Sequence, residues 1–146
     1  MNTFHWLALA AGMLLPLQVA FNNRLAALSG SPSTSSLISF SVGTVMLLIY
    51  SALNFDTLQQ SWQPLRQAPW YAWTGGAIGA CYIIATVVAT PKIGIAVFLV
   101  TVIGGQLFTS ALLEHHGWLG TPVRHFDLTK ALGLVLVLIG IFLIKK

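Results

Sequence analysis

Long apolar stretches separated by short polar segments dominate the hydrophobic pattern of this chain. A transmembrane helix needs about 20 mostly apolar residues in a row, and four stretches approach or reach that length. A fifth is shorter, because only Ala131–Ile144 is uncharged, and Lys130, Lys145 and Lys146 extend it by reaching toward the lipid headgroups. The pattern predicts five transmembrane helices, at about residues 4–22, 33–53, 69–90, 93–113 and 129–144.

Short polar segments separate the predicted helices. The run Ser29-Gly30-Ser31-Pro32 signals a turn before the second helix. Pro69 favours the start of the third, which is expected to end near Thr90-Pro91. The segments 54–68 and 115–128 are longer connections, and neither is long enough to form a domain. The chain is therefore predicted to be one all-α transmembrane domain over residues 1–146.

Composition points to lipid as the surrounding solvent. The chain is 56% hydrophobic and 7% charged, whereas soluble domains carry about 25% charged residues. A globule of 146 residues has too little interior to hide so much apolar surface. The basic residues are scattered singly rather than clustered. This pattern indicates side chains that anchor helix ends at the lipid headgroups, and it does not indicate a nucleic-acid partner.

The distribution of positive charge bears on orientation and assembly. With five spans, one side receives Arg24, Lys92, Lys145 and Lys146, and the other receives Arg66, Arg124 and Lys130. Orientation is normally set by an excess of Lys and Arg in short cytoplasmic loops, and four against three is nearly balanced. The chain is compatible with insertion both ways up, giving an antiparallel dimer, and equally with one fixed orientation.

Polar residues inside the predicted spans are the candidate solute ligands. Gln18 and Asn22 share a helix face just after Pro16, which loosens local backbone bonding. Gln106, Ser110 and Glu114 form a stripe on the fourth helix. The substrate-binding prediction comprises Gln18, Asn22, Ser39, Tyr82, Gln106 and Ser110. Hydrogen bonding between helices is the alternative role for these side chains.

Glu114 and His115 are candidates for coupling or gating, because a carboxylate at a helix end could bind a proton or a cationic group. The alternative is a structural charge paired with a nearby His or Arg. No charged residue lies near the middle of a span. Proton coupling is therefore weakly supported, and the pattern suits a neutral or weakly charged solute.

Small residues predict close helix packing. Gly75 and Gly79 form a GxxxG pair that Gly76 and Ala80 repeat, and such pairs let two backbones approach closely. Gly43 and Gly105 join this packing set. The single cysteine, Cys81, is expected to be a small buried hydrophobe.

Catalytic and metal-binding motifs are not evident. There is no nucleophile elbow, Gly-rich phosphate loop or paired-carboxylate motif, so an enzyme is not expected. His115 and His116 are adjacent and point to different helix faces, without a CxxC or HExxH motif. Neither a metal nor another cofactor is expected.

The spaced residues resemble the YdcZ-like family of the drug/metabolite transporter superfamily over nearly the whole chain. The resemblance is carried by Leu15-Pro16-Leu17-Gln18 with Asn22 and Leu25, Ser31-Pro32, Ser39-Phe40, Gly43, Pro69-Trp70, Trp73, Gly75-Gly76, Gly79, Pro91, Gly94, Gly105-Gln106 and Leu112-Leu113-Glu114-His115-His116-Gly117. Each piece is short, and their order and spacing together give the resemblance its specificity.

The resemblance implies a multi-pass exporter of the bacterial inner membrane, built as an antiparallel dimer of ten helices. The resemblance implies either a homodimer or a heterodimer with a paired homologue. Glu114 stands where the family usually has Asp, and the helix-one carboxylate of the related small multidrug resistance transporters has no counterpart here.

The predicted function is a secondary transporter that moves a small metabolite or drug-like solute by alternating access. The predicted solute site lies at the dimer midplane, lined by Gln18 and Asn22 of both copies with Gln106. A small-solute or ion channel, or an accessory subunit of a larger transporter, is the alternative.

Overall fold

The computed structural model describes residues 2–144, and every regular element in that range is helical. The predicted reach of Lys145 and Lys146 toward the headgroups falls outside the described residues. Two short 3₁₀ turns lie at Trp70–Thr74 and Trp118–Gly120. The α-helices are α1 (Thr3–Ser29), α2 (Pro32–Leu53), α3 (Phe55–Leu65), α4 (Gly75–Ile93), α5 (Ile95–His116) and α6 (Leu128–Ile144).

Helix α1 is longer than the sequence pattern predicts. Asn2 caps its first turn by accepting a hydrogen bond from the His5 amide. The helix continues past Asn22 because Asn23–Ser29 contains the good helix formers Arg, Leu and Ala. It ends at Gly30, whose φ of 66° lies in the left-handed region that glycine adopts without strain.

Helix α3 lies in the segment 54–68, which the sequence pattern predicted to be a connection without a helix. Helix α2 begins with Ser31 as its cap and Pro32 in its first turn, and ends at Leu53. After the single residue Asn54, the chain forms α3 over Phe55–Leu65. Its short length and glutamine-rich sequence made its helical period hard to recognise.

The break between α4 and α5 lies at Gly94 rather than at Thr90-Pro91. Pro91 is inside α4, close to its C-terminal end. The residue that separates the two helices is Gly94, with φ 84° and ψ 151°. Only glycine adopts this combination readily.

The chain divides into two compact units, with the boundary inside α4 after Val88. In the first unit, α1 packs against α2, and α3 contacts α2. The buried Ser35 hydroxyl donates a 2.6 Å hydrogen bond to the Asn22 backbone carbonyl and so ties α2 to α1. In the second unit, α5 packs against α6.

Burial follows the pattern of a membrane protein rather than of a soluble one. Among the described residues, the buried hydrophobic side chains are Val19, Val87 and Phe98, and the buried polar ones are Asn22, Ser35, Ser36, Thr86 and Thr90. Most large apolar side chains lie on the outside. Small polar groups thus fill the helix contacts, while apolar side chains face the surroundings.

Four helical segments of the described chain are long and apolar enough to cross a membrane: Thr3–Ser29, Pro32–Leu53, Trp70–Ile93 and Ile95–His116. Helix α6 is apolar but has 17 residues, a length of about 25 Å. The hydrocarbon core is about 30 Å thick. A multi-pass membrane protein follows, and a fifth crossing by α6 remains a prediction.

Candidate functional site

A groove runs along the α1–α2 pair in the first unit and encloses about 350 Å³. Its walls are mostly aliphatic and aromatic, and three polar residues interrupt them. The residues that line this α1–α2 groove are Leu14, Leu17, Gln18, Phe21, Asn22, Leu25, Ile38, Ser39 and Val42. Three predicted solute ligands, Gln18, Asn22 and Ser39, therefore lie in one groove.

Two amides and a hydroxyl give the α1–α2 groove its polar character. Gln18 and Asn22 are four residues apart on α1, and Ser39 comes from α2. Gln18 is exposed, whereas Asn22 is 4% exposed; the bond that ties α2 to Asn22 uses its backbone carbonyl. The groove thus offers amide donors and acceptors against apolar walls.

A second groove lies between α5 and α6 in the second unit and encloses about 460 Å³. Ser110, Glu114 and Lys130 provide its polar side chains. The remaining residues of this α5–α6 groove are Leu107, Ala111, Phe126, Gly133, Leu134 and Val137. Ser110 donates a 3.0 Å hydrogen bond to the Leu107 carbonyl, so its hydroxyl oxygen keeps its acceptor capacity.

An ion pair crosses the α5–α6 groove. The Lys130 Nζ atom lies 3.8 Å from Glu114 Oε2, and the two side chains are 41% and 38% exposed. The structural partner of Glu114 is thus a lysine on the facing helix, not the His or Arg that the sequence suggested. A pair this exposed contributes about 0–1 kcal/mol, so it can open without disrupting the fold.

The loop between α5 and α6 is fastened to the end of α5. The Arg124 amide donates to the Glu114 carbonyl at 2.9 Å, and the Thr121 hydroxyl donates to the Leu113 carbonyl at 2.9 Å. The Phe126 amide donates to His115 Nδ1 at 3.2 Å, so the ring proton lies on Nε2 in the neutral side chain. His115 therefore positions the loop that forms one wall of the groove.

Three histidines cluster at this loop. The His115 ring lies 4.9 Å from the His116 ring and 5.9 Å from the His125 ring, centroid to centroid. His116 also stacks on Trp118 at 4.6 Å. No group of three or more His, Cys, Asp or Glu side chains between residues 2 and 144 has the arrangement of a metal site.

Two predicted solute ligands lie apart from these grooves. Gln106 is exposed on α5 and lines neither of them. Tyr82 is half-buried on α4, where its carbonyl accepts a 2.8 Å hydrogen bond from the Thr86 hydroxyl. Their assignment to a solute site stays a prediction. The burial of Cys81 was predicted wrongly, because its side chain is exposed on α4.

The predicted packing glycines differ in their surroundings. A Cβ atom at Gly79 would lie 3.3 Å from Phe40 Cζ, so this glycine admits the Phe40 ring between α4 and α2. A Cβ atom at Gly43, Gly75, Gly76 or Gly105 would meet nothing within 4 Å in the single chain. On α5 the close neighbour belongs to Gly104 instead, where a Cβ atom would lie 2.9 Å from Ile141 Cδ1.

Sequence reasoning missed the role of Ser35, which ties α2 to α1, and that of Lys130, which lines the α5–α6 groove and pairs with Glu114. Ser35 is one of several serines at the start of α2, and nothing in the sequence distinguishes the one that reaches α1. Lys130 was interpreted as an anchor only. An eleven-residue loop separates the helix of Lys130 from the helix of Glu114. The sequence therefore did not predict their ion pair, because the path of the loop decides which side chains meet.

Comparison with protein families places the chain in one of them. The model of the family described as "Putative inner membrane exporter, YdcZ" matches residues 3–143. Neither the comparison with curated proteins nor that with solved structures found a match. The match covers the four long apolar segments, all but the last residue of the shorter helix α6, and both grooves, and the chain therefore belongs to the YdcZ family.

Proposed function

We propose that this protein is a secondary transporter that exports a small, neutral or weakly charged solute by alternating access between two oppositely inserted copies. The family description supports export across the inner membrane. The α1–α2 groove supports the solute class, since it presents amides and a hydroxyl rather than charges.

The observation that carries the proposal is the position of Gln18. It lies near the middle of the 27-residue helix α1, without a hydrogen-bond partner among the described residues. Its side chain is exposed in the single chain and would therefore face lipid in a membrane. An amide without a partner in an apolar environment costs about 1–3 kcal/mol. A polar solute or a facing copy would remove that cost, which is the usual reason for polar groups at membrane depth.

A second copy accounts for the surfaces that the single chain leaves open. Gly43, Gly75 and Gly76 leave room for close approach by another helix. The near balance of basic residues is compatible with insertion in both orientations. Two inverted copies that exchange conformations would open a shared solute site alternately to each side.

The α5–α6 groove supplies a candidate gate. Its Glu114–Lys130 pair is half-exposed and joins two helices at 3.8 Å. Breaking the pair would separate the ends of α5 and α6 at little cost in stability. In this proposal Glu114 and His115 control access, while Gln18, Asn22 and Ser39 contact the solute.

Ligand-dependent stabilisation tests the site. Purified protein is screened by thermal shift against a panel of small neutral and zwitterionic metabolites, and flux of each ligand found is measured in proteoliposomes. We expect Gln18→Leu to fold normally and to reduce saturable flux at least tenfold, because the amide no longer bonds the solute. Gln60→Leu, on α3 outside the grooves, is the matched control.

Three outcomes would contradict the proposal. Equal flux through the Gln18→Leu and unsubstituted proteins would show that the α1–α2 groove is not the site. Flux that neither saturates nor exchanges with solute on the far side would indicate a channel. An inactive protein that copurifies with a larger transporter would indicate an accessory subunit. In the same assay, Gln106→Leu tests one of the two predicted ligands that lie apart from the grooves.

A further inference from the structure

Helix α3 has an apolar stripe that no predicted role explains. At 100° per residue, Phe55, Leu58, Trp62 and Leu65 fall within an arc of about 80°. Asp56, Thr57, Gln59, Gln60 and Ser61 occupy the rest of the circumference. A short, strongly amphipathic helix of this kind is typical of segments that lie in the plane of a membrane interface.

The apolar stripe is uncovered in the single chain. Phe55 is 61% exposed and Trp62 is 57% exposed, and Leu58 and Leu65 are also exposed. The Ser61 hydroxyl donates a hydrogen bond to the Thr57 carbonyl, and this bond lies within α3 itself. Whatever covers Phe55, Leu58, Trp62 and Leu65 therefore lies outside the described chain.

The position of α3 in the chain places it at a membrane surface. One residue separates it from the end of α2, and the next membrane-crossing segment begins at Trp70. Its 11 residues span about 16 Å, too short to cross a hydrocarbon core about 30 Å thick. The ends of the two flanking spans therefore lie on the same side, and α3 stays at that surface.

We infer that α3 is an interfacial helix whose Phe55, Leu58, Trp62 and Leu65 side chains insert into the boundary between headgroups and acyl chains. Trp62 suits this depth, because its ring is apolar while its N–H can meet water or headgroups. The turn after α3 leads directly to Trp70, Tyr71 and Trp73, which continue the aromatic surface. The inference rests on the flanking spans and not on the proposed transport activity.

Lipid headgroup charge contributes little to this contact. The polar face is made of amides and hydroxyls, and the nearby charges Asp56 and Arg66 offset each other. Interfacial helices that depend on anionic lipids carry many Lys or Arg residues on that face. Insertion of α3 should therefore rely on apolar burial and be the same with and without anionic lipid.

Site-directed spin labelling tests the inference in the full-length protein. In a Cys81→Ser background, Leu58→Cys and Gln60→Cys place a nitroxide on opposite sides of α3, and Trp62→Cys with Thr57→Cys gives a second pair. The protein is reconstituted into phosphatidylcholine vesicles, with or without phosphatidylglycerol. Collision with oxygen and with a water-soluble nickel chelate is then measured.

We expect labels at Leu58 and Trp62 to collide several-fold more with oxygen relative to the nickel chelate than labels at Gln60 and Thr57. The difference should persist on lipid dilution and without phosphatidylglycerol. Equal collision ratios on the two faces would overturn the inference. Shielding that disappears on lipid dilution, or spin–spin broadening between copies, would also overturn it by assigning the stripe to a second copy.

Discussion

At the scale of single residues, helix contacts in this protein depend on small polar groups. Ser35 and Ser36 both donate hydroxyl hydrogen bonds to backbone carbonyls, Ser35 to Asn22 on the neighbouring helix and Ser36 to Pro32 on its own helix. A bond between helices adds to tertiary stability, whereas a serine bonded within its own helix does not stabilise it. These adjacent serines form a matched pair.

Replacing Ser35 with alanine should lower the free energy of unfolding by about 0.5–1.5 kcal/mol, because the α1–α2 hydrogen bond is lost. The measurement is chemical denaturation in detergent micelles, followed by circular dichroism. Ser36→Ala should change it by less than about 0.5 kcal/mol. Equal losses for the two variants would show that the bond to Asn22 does not hold the helices together.

Substitutions of Glu114 test whether its side chain affects transport without affecting stability. Glu114→Gln should change the free energy of unfolding by less than about 1 kcal/mol, because its pair with Lys130 is partly exposed. If the pair is a gate, the same substitution should reduce flux in proteoliposomes at least tenfold, while Glu114→Asp retains it through the preserved charge. Asp56→Asn, on α3 outside both grooves, is the control for losing a carboxylate.

Loss of flux in both Glu114→Gln and Asp56→Asn would point to a general effect of charge. Unchanged flux in Glu114→Gln would leave the ion pair as a purely structural contact. Each readout uses the same preparation, so a folding defect is visible before transport is interpreted.

At the scale of elements, the α4–α5 junction depends on one backbone conformation. Gly94 holds φ 84° and ψ 151°, and its Cβ position is otherwise open. Any L side chain at this position strains the backbone even though space is available. The sharp separation of α4 from α5 thus comes from glycine and not from Pro91, which α4 accommodates near its end.

Gly94→Ala should lower the free energy of unfolding by about 1–3 kcal/mol, the usual cost of a strained backbone position. Gly105→Ala is the control, because Gly105 lies inside α5 and a Cβ atom there meets nothing within 4 Å. Alanine in a helix interior is favoured over glycine by about 0.5–1 kcal/mol. Thermal and chemical denaturation of the two variants should therefore shift in opposite directions.

At the scale of the whole molecule, orientation in the membrane decides which surfaces of two copies can meet. The prediction is that reporters fused to the C-terminus are active on both sides of the membrane, because the basic residues are nearly balanced. Gln59→Lys combined with Gln60→Lys adds positive charge to the α2–α4 connection. This variant should hold the connection in the cytoplasm and move the C-terminus to the opposite side.

A reporter that is active on one side only in the unsubstituted protein would exclude dual insertion. Crosslinking that detects parallel neighbours alone would exclude the antiparallel dimer as well. If the doubly substituted protein inserts in one orientation and loses flux, while coexpression with an oppositely oriented variant restores it, both orientations are required for transport.

The sequence alone determined that the protein lies in a membrane, that its fold is all-helical, and which family it resembles. Twenty-residue apolar stretches cannot be buried inside a chain this small, so the membrane follows from composition and length. It also proposed Gln18, Asn22 and Ser39 as solute ligands, because polar groups at membrane depth need a partner, and that assignment stays a prediction. Helical spacing places Gln18 and Asn22 on one face without any knowledge of packing.

Only the tertiary structure decided which helices meet and which side chains face each other. It brought Ser39 to the α1–α2 groove, joined Glu114 to Lys130 across a loop, and made Gly104 rather than Gly105 the close contact on α5. Neighbouring glycines and serines are chemically alike, so their sequence does not say which one faces another helix. That choice depends on the rotation of each helix about its axis, which packing across the whole unit fixes.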